Sequence, residues 1–144
     1  MGAGMTLARL PDWQPRLHRW LLGVPGRPVQ PGRHDCCLFM AGAIEAQTGV
    51  DLAAPWRGRY TTLAGGRRVL RKSGYDDHVA LVAAHLAEGH VSSALPGDIA
   101  IVPTEAGPAG GVVQGGAVYV LGASGLLAIV PMAPVIRLFL LGAR

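Results

Sequence analysis

Two adjacent thiols, Cys36 and Cys37, follow a histidine and an aspartate in the run Gly32-Arg33-His34-Asp35-Cys36-Cys37-Leu38-Phe39. The polar part reads as a turn and the apolar part opens a helix, so Asp35 is placed to accept from the unpaired amides of the first turn. Cys36 then takes the first helical position, where the positive end of the macrodipole lowers a thiol's pKa and favours the thiolate. A thiolate there is a nucleophile for hydrolysis through a covalent intermediate. Such chemistry also needs a facing imidazole that takes the proton and returns it to the leaving amine, a transfer typically worth about 10²–10⁴-fold.

The supply of imidazoles is the difficulty. The histidines are His18, His34, His78, His85 and His90, and all precede the C-terminal third of the chain. His34 precedes the capping residue and is expected to point away from Cys36. His78 and His90 are within loop reach of a site, but an isolated surface histidine usually has no catalytic role. The competing role for Cys36 is a small residue that packs the helix start against a sheet, and the absent base weighs toward it. Cys37, on the apolar stripe of the same helix, reads as core. Asp98 reads as a turn former. Trp56 and Tyr60, among arginines, could line a groove for a peptide or glycan, with plain aromatic packing as the default. No His, Cys and acidic residues recur at ligand spacing, so neither a metal nor another cofactor is expected.

The elements that must position these residues fall into two halves. Pro11 to Leu22 reads as a short helix with Trp13, Leu17 and Trp20-Leu21 at helical spacing, stopped by Gly23 and Pro25. Asp35 to Thr48 is the clearest helix, with Cys37, Met40, Ala41 and Ile44 on one stripe and Gly49 as its stop. A further helix is expected from Thr62 to Ser73. Another is expected after a cap at Asp76 or Asp77, with Val79, Val82, Ala83 and Leu86 on one side and Gly89 following. From Pro96-Gly97-Asp98 onward, Ile99–Val102, Gly111–Gln114, Val118–Leu121, Leu126–Val130 and Val135–Leu141 read as strands of an antiparallel meander with short turns. Helices first and a meander afterwards give an α+β domain with one sheet face covered by the central helix. The whole 144-residue chain is expected to be one domain, mainly helical over 1–95 and sheet over 96–144.

Composition narrows the rest. Half of the residues are hydrophobic, which argues against disorder, and 21 glycines with 11 prolines imply many tight turns. Two neighbouring cysteines make no disulfide framework and demand no oxidising compartment. Met1 to Leu10 lacks the pattern of a signal peptide. The uncharged stretch from Ala106 to Ile136 is broken by glycine pairs and Pro131, so it reads as buried meander and no membrane span is expected. The formal charge of +4 is densest at Arg57, Arg59, Arg67, Arg68, Arg71 and Lys72. A solvated helical face is the plainer reading of that group, a patch for an anionic partner the sharper one. No aromatic interleaving accompanies it, so nucleic acid is not expected as a partner.

Asp35-Cys36 opening a helix and Gly97-Asp98-Ile99 opening a strand resemble the NlpC-type cell-wall peptidases of the papain-like class. A closer resemblance spans nearly the whole chain, to a phage- and prophage-encoded group related to those peptidases and found among tail genes and in gene-transfer-agent-like particles. It is carried by the N-terminal tryptophan helix, Asp35-Cys36, Thr48-Gly49-Val50-Asp51, Arg57-Gly58-Arg59-Tyr60, Gly97-Asp98, and Gly125-Leu126 followed by Pro131. No single element is specific, but the ordered set is moderately so. Two departures matter. The family histidine would fall near Pro108 to Gly111, where this chain has Gly107-Pro108-Ala109-Gly110-Gly111, and the usual Ser-Gly after the nucleophile is replaced by Cys37-Leu38.

The resemblance implies a papain-like, NlpC-like α+β fold in which the Asp35-Cys36 helix packs on the C-terminal antiparallel sheet. It implies a component of a phage-type tail tip, a degenerate cysteine peptidase domain serving as a structural or adaptor protein in the distal tail. Its partners would be other tail-tip and hub proteins, with peptidoglycan as a further contact. It would be made in the host bacterial cytoplasm and carried in the virion. The alternative is an active cell-wall endopeptidase or amidase with Cys36 as nucleophile and a displaced histidine as base. A tail assembly factor is the weaker third reading.

Overall fold

In a computed structural model of the chain, which describes residues 7–122 and 124–142, Asp35 has extended backbone and accepts from the Leu38 amide at 2.9 Å. That bond starts the central helix α2 (Cys36–Thr48) at the residue the sequence predicts, and Gly49 ends it in the left-handed conformation at φ +79°. The stripe expected along α2 widens to nearly the whole helix, because every residue from Leu38 to Ile44 is buried. The small residues Ala41, Gly42 and Ala43 let neighbours approach from several sides. Cys37 departs from the expectation of a core residue: it is half-buried and lies outside the apolar clusters.

Helix α1 (Trp13–Gly23) packs Leu17 and Leu21 onto α2. Helix α3 (Leu63–Lys72) is capped by Thr62, and α4 (His78–Ala83) by Asp77, which accepts from the Ala80 amide at 2.8 Å. The last helix is shorter than its apolar spacing suggests. After one more loose turn the chain straightens, and β1 (Glu88–Gly89) pairs antiparallel with Phe139 and Leu138. This non-local pairing overrides the local helical pattern.

The remaining strands are β2 (Ile99–Thr104), β3 (Gly107–Gln114), β4 (Ala117–Leu121), β5 (Leu127–Pro131) and β6 (Arg137–Phe139). They form one six-stranded sheet in the order β1-β6-β2-β3-β4-β5, with antiparallel pairs throughout. The predicted α+β class is present, and β2 to β5 follow the predicted meander, but the last strand leaves it: β6 returns across the sheet to pair with β2 and β1 and not with β5. Alternation along the strands buries both faces. Ile99, Ile101, Val112 and Phe139 meet Phe39, Met40 and Ile44 of α2. Ala100, Val102, Val113, Val118 and Leu138 form a second core on the opposite face, covered in part by Val91 and Met132. Each fully buried side chain of this size contributes roughly 1.5–3 kcal/mol. The uncharged stretch 106–136 is accounted for by β3, β4 and β5, and among the described residues no helix is long and apolar enough to cross a membrane.

Asp98 does more than form a turn. It is fully buried and accepts from the Leu95 amide at 2.9 Å and from the Leu141 amide at 3.1 Å. Gln47, near the end of α2, donates to the Gly97 carbonyl at 2.9 Å. The Gly97-Asp98 dipeptide therefore ties the start of β2 to the C-terminal segment and to the central helix, which holds the sheet where α2 can rest on it.

Candidate functional site

The start of α2 opens onto a cavity of about 810 Å³, bounded by α3, the first turn of α4 and the β2–β3 hairpin. Its polar lining includes Cys36, Cys37, Tyr60, Arg67 and His78, and its floor is apolar, with Leu38, Val102 and Val120 among the contributors. Trp56 and Tyr60 both line it, as the groove reading expects. Trp56 is fixed by donating Nε1–H to Ser73 at 3.1 Å and by an edge-on contact with Tyr75.

A network of side chains holds the helix start rigid. Asp35 is 2 % exposed and accepts three hydrogen bonds, from the Gly32 and Leu38 amides at 2.9 Å each and from the Tyr60 hydroxyl at 2.6 Å. Gly32 is confined to glycine on two grounds: its φ is +84°, and a Cβ there would run into the Tyr60 carbonyl oxygen. Asp51 accepts from Arg57 Nε at 2.6 Å and Nη2 at 3.1 Å, closing the loop between α2 and Tyr60. Thr48-Gly49-Val50-Asp51 and Arg57-Gly58-Arg59-Tyr60 thus belong to one scaffold that aims the Asp35-Cys36 turn. Sequence reading recovered these motifs but not the pairings Asp51–Arg57 and Tyr60–Asp35, which span six and 25 residues.

The electrostatics run against the expectation for Cys36. Its thiol occupies the first helical position, where the first-turn backbone favours the thiolate as predicted and Arg67 adds to it. Burial and then the adjacent Asp35 charge act more strongly in the other direction, so the pKa is raised. Burial pushes Cys37 up to about 12, with Asp35 adding to it. Burial and the hydrogen bond to Asp35 raise the Tyr60 hydroxyl as well. His78 moves the opposite way: burial lowers its pKa despite the Asp77 charge and the Pro108 carbonyl, both of which favour its protonated form. Both shifts favour the uncharged forms of two side chains that line one cavity.

These shifts fix a pH profile for stability. His34 and His78 hold protons less well folded than unfolded, so their contribution is lost as pH falls below the ordinary value of 6.5. Cys36, Cys37 and Tyr60 hold protons better when folded, so theirs is lost as pH rises above the ordinary cysteine value of 9.0. Urea unfolding across pH should give a plateau between those limits and a fall on each side. Replacing both cysteines by serine should flatten the alkaline flank selectively; an unchanged flank would contradict the assignment.

Within the span Pro108 to Gly111 that the resemblance assigns to an imidazole, Pro108 and Ala109 line the cavity, whereas the two glycines have no room for a larger side chain. Gly110 lies against Met40 of α2, whose Cγ would stand 3.2 Å from an added Cβ. At Gly111 an added Cβ would stand 2.7 Å from the Tyr119 carbonyl oxygen and 2.8 Å from Val120 Cγ2. Among the described residues, the imidazole that lines the cavity comes from α4 instead. His78 sits beside Pro108, and its Nε2 is buried without a hydrogen-bond partner. The sequence signal for this placement was the Asp77 cap, which puts His78 at the first position of a helix facing β3.

The other histidines do not join Cys36. His90 accepts from the Ser92 amide in a 3₁₀ turn, and His85 contacts the Leu81 carbonyl at 2.8 Å. His34 borders a different cavity, as its position before the cap suggests. Of the basic cluster, Arg67, Arg68, Arg71 and Lys72 are exposed on α3, the solvated face that composition favours, while Arg57 is tied to Asp51. Among the described residues no three His, Cys, Asp or Glu side chains are grouped to hold a metal ion.

The family model for a domain of unknown function, DUF6950, matches residues 8–141, which take in every helix and strand described above. The chain belongs to that family. A search among curated proteins finds no match.

Proposed function

We propose that this member of the DUF6950 family is a degenerate NlpC-like cysteine peptidase domain that serves as a structural or adaptor component of a phage-type tail tip. The observation that carries this reading is the state of Cys36: it keeps the first position of its helix, burial and the Asp35 charge raise its pKa, and neither Gly110 nor Gly111 of β3 has space for a facing imidazole. The motifs that carry the resemblance are engaged in folding. Asp35, Asp51, Arg57, Tyr60 and Asp98 are each engaged in hydrogen bonds that build the turn or tie the sheet. Such a domain keeps a shaped cleft for a protein segment or cell-wall peptide without keeping the proton relay. Edge strand β5 offers one free edge with Ile129 66 % exposed, a surface suited to neighbouring tail-tip and hub proteins. The site of action is the distal tail of the virion.

His78 favours a second reading, an active cell-wall endopeptidase or amidase in which this imidazole replaces the one absent from β3. Its place among the residues that line the cavity of Cys36 is the ground.

One experiment separates the two. Purified particles are alkylated with iodoacetamide across pH, and Cys36 is resolved from Cys37 by peptide mass spectrometry. The structural reading expects the chain among the particle proteins and a Cys36 midpoint above the free-thiol value of roughly 8.5. A midpoint two or more units lower, returned to the free value by His78→Gln, establishes the hydrolase reading. Absence of the chain from particles that require it for formation leaves an assembly factor.

A further inference from the structure

The two edges of the sheet are built differently. Edge β1 is two residues long, carries the Glu88–Arg137 ion pair at 2.8 Å, and is followed by a 3₁₀ turn at Val91–Ser93. Short length and charge are the ordinary means by which a sheet edge is kept from pairing with another chain. Edge β5 has neither. It is five residues long, and no charged residue occurs between Glu105 and Arg137. Ala128, Ile129 and Pro131 are exposed, as is Leu126 just before the strand.

Ladder geometry says which backbone groups this edge presents. Gly122 donates to the Leu126 carbonyl at 2.9 Å, and the two stand opposite each other where the β4–β5 register continues into the turn. Bonded and non-bonded positions alternate along an antiparallel pair. Ala128 and Val130 therefore bond to β4, while Leu127, Ile129 and Pro131 turn their backbone groups outward. Among the described residues no backbone hydrogen bond reaches β5 except through its pairing with β4. Leu127 and Ile129 each present an N–H and a C=O, and Pro131, which has no N–H, presents a C=O alone.

We propose that β5 is a self-association edge, on which a second copy of this chain pairs antiparallel about a two-fold axis at Ile129. Any extended backbone can meet such an edge, but β5 meets itself over its whole length. With Ile129 opposite Ile129 of the second copy, these two residues exchange both bonds, and each Leu127 N–H reaches the other copy's Pro131 carbonyl. Every outward N–H is then paired, and the ladder ends at the proline, where no donor is left. Shifting the pairing toward the turn sets Pro131 against Gly125, which is buried with the Arg27 carbonyl packed on it. Side chains agree with the centred register: Ile129 meets Ile129 and Leu127 meets Pro131 on one face, and Ala128 meets Val130 on the other. A partner recognised by charge finds nothing to recognise on this strand, and two copies bring no like charges together there. One strand pair is smaller than the roughly 800 Å² per partner of a standard interface, so the dimer is weak and concentration-dependent.

Sedimentation of the full chain over a concentration series reaching about 1 mM tests the proposal. The average mass should climb toward twice the monomer value. Ile129→Lys should weaken association about tenfold or more, because it sets two like charges opposite each other. Its urea midpoint should stay at the parent's, since the side chain is 66 % exposed. Ile129→Pro should weaken association likewise, by removing an N–H that no bond within the sheet uses, a change that edge strands tolerate. Register is read by oxidation in a Cys36→Ser/Cys37→Ser background. Opposite Cα atoms of a bonded pair stand about 5.5 Å apart, within disulfide reach. Ile129→Cys should therefore cross-link to its own copy, and Leu127→Cys to a Pro131→Cys copy. A chain that stays monomeric throughout overturns the proposal and leaves the edge to an extended segment of another protein. A dimer that survives both Ile129 substitutions overturns it too, because another surface then holds the copies together. So does a dimer whose Ile129→Cys copies never cross-link, since its strands then pair in another register or not at all. Every outcome is read on the isolated chain and is independent of Cys36 and of a tail role.

Discussion

Asp35→Ala is expected to lower folding stability by about 3–5 kcal/mol, because it removes the acceptor for three donors in one step. The Gly32 amide, the Leu38 amide and the Tyr60 hydroxyl all bond to this carboxylate, and it is 2 % exposed. Loss of the helix cap alone costs about 0.5–2 kcal/mol. The remainder comes from the Gly32 amide and the Tyr60 hydroxyl, left unpaired beneath the surface. Tyr60→Phe removes one of the three bonds together with its donor and should cost only about 1–2 kcal/mol. For a chain of this size the difference is readable in thermal denaturation, with Asp35→Ala melting about 10 °C below the parent. A second readout tests the electrostatics. The Asp35 charge raises the Cys36 pKa, so Asp35→Asn should move the Cys36 alkylation midpoint downward even as it destabilises the fold. An unmoved midpoint would leave burial as the sole cause of the raised value.

How far the sequence reveals this site follows from the range of the interactions involved. The starts of α2, α3 and α4 were visible because a capping side chain bonds an amide only three residues ahead, as Asp35, Thr62 and Asp77 do. The meander was visible because turns punctuate it. The two-residue strand β1 was not, since it exists only through its pairing with Leu138 and Phe139, about fifty residues away. The ends of the final strand were overestimated for the same reason: Val135 is drawn into a turn with Met132, and Leu140 bonds to Ala87. The thiol of Cys36 divides along this line too. Its place at a helix start is local and was legible. The burial that outweighs the macrodipole is tertiary and was not. His78 shows the same limit, because only packing of α4 against β3 brings it to the cavity.

Adding a side chain at Gly110 or Gly111 of β3 is expected to destabilise the fold, and the manner of destabilisation distinguishes the two glycines. Gly111→Ala should cost about 2–4 kcal/mol, since its Cβ meets a backbone oxygen of β4 at 2.7 Å with Val118 and Val120 closing the space. A backbone atom paired in the middle of a sheet cannot move aside without breaking the ladder. Gly110→Ala meets only Met40, a flexible side chain, and should cost about 1–3 kcal/mol. In a double-mutant cycle, Met40→Ala opens the space that the new Cβ needs, so the Gly110→Ala/Met40→Ala pair should cost less than the sum of the single changes by about 1 kcal/mol or more. Met40→Ala should give Gly111→Ala no such relief, because the obstruction lies on another strand. Gly110→His asks for far more volume than Met40 vacates, so it should abolish cooperative unfolding and not raise Cys36 reactivity in any folded fraction. A stable Gly110→His protein with a lowered Cys36 midpoint would mean that the β3 backbone can yield. The close contact of β3 with α2 would then not be what keeps the imidazole out. If instead the cycle closes as stated, Gly110 is closed by the packing of the central helix on the sheet and Gly111 by the neighbouring strand β4. An imidazole for Cys36 then has to come from a position other than these two glycines, and His78 is one that lines the same cavity.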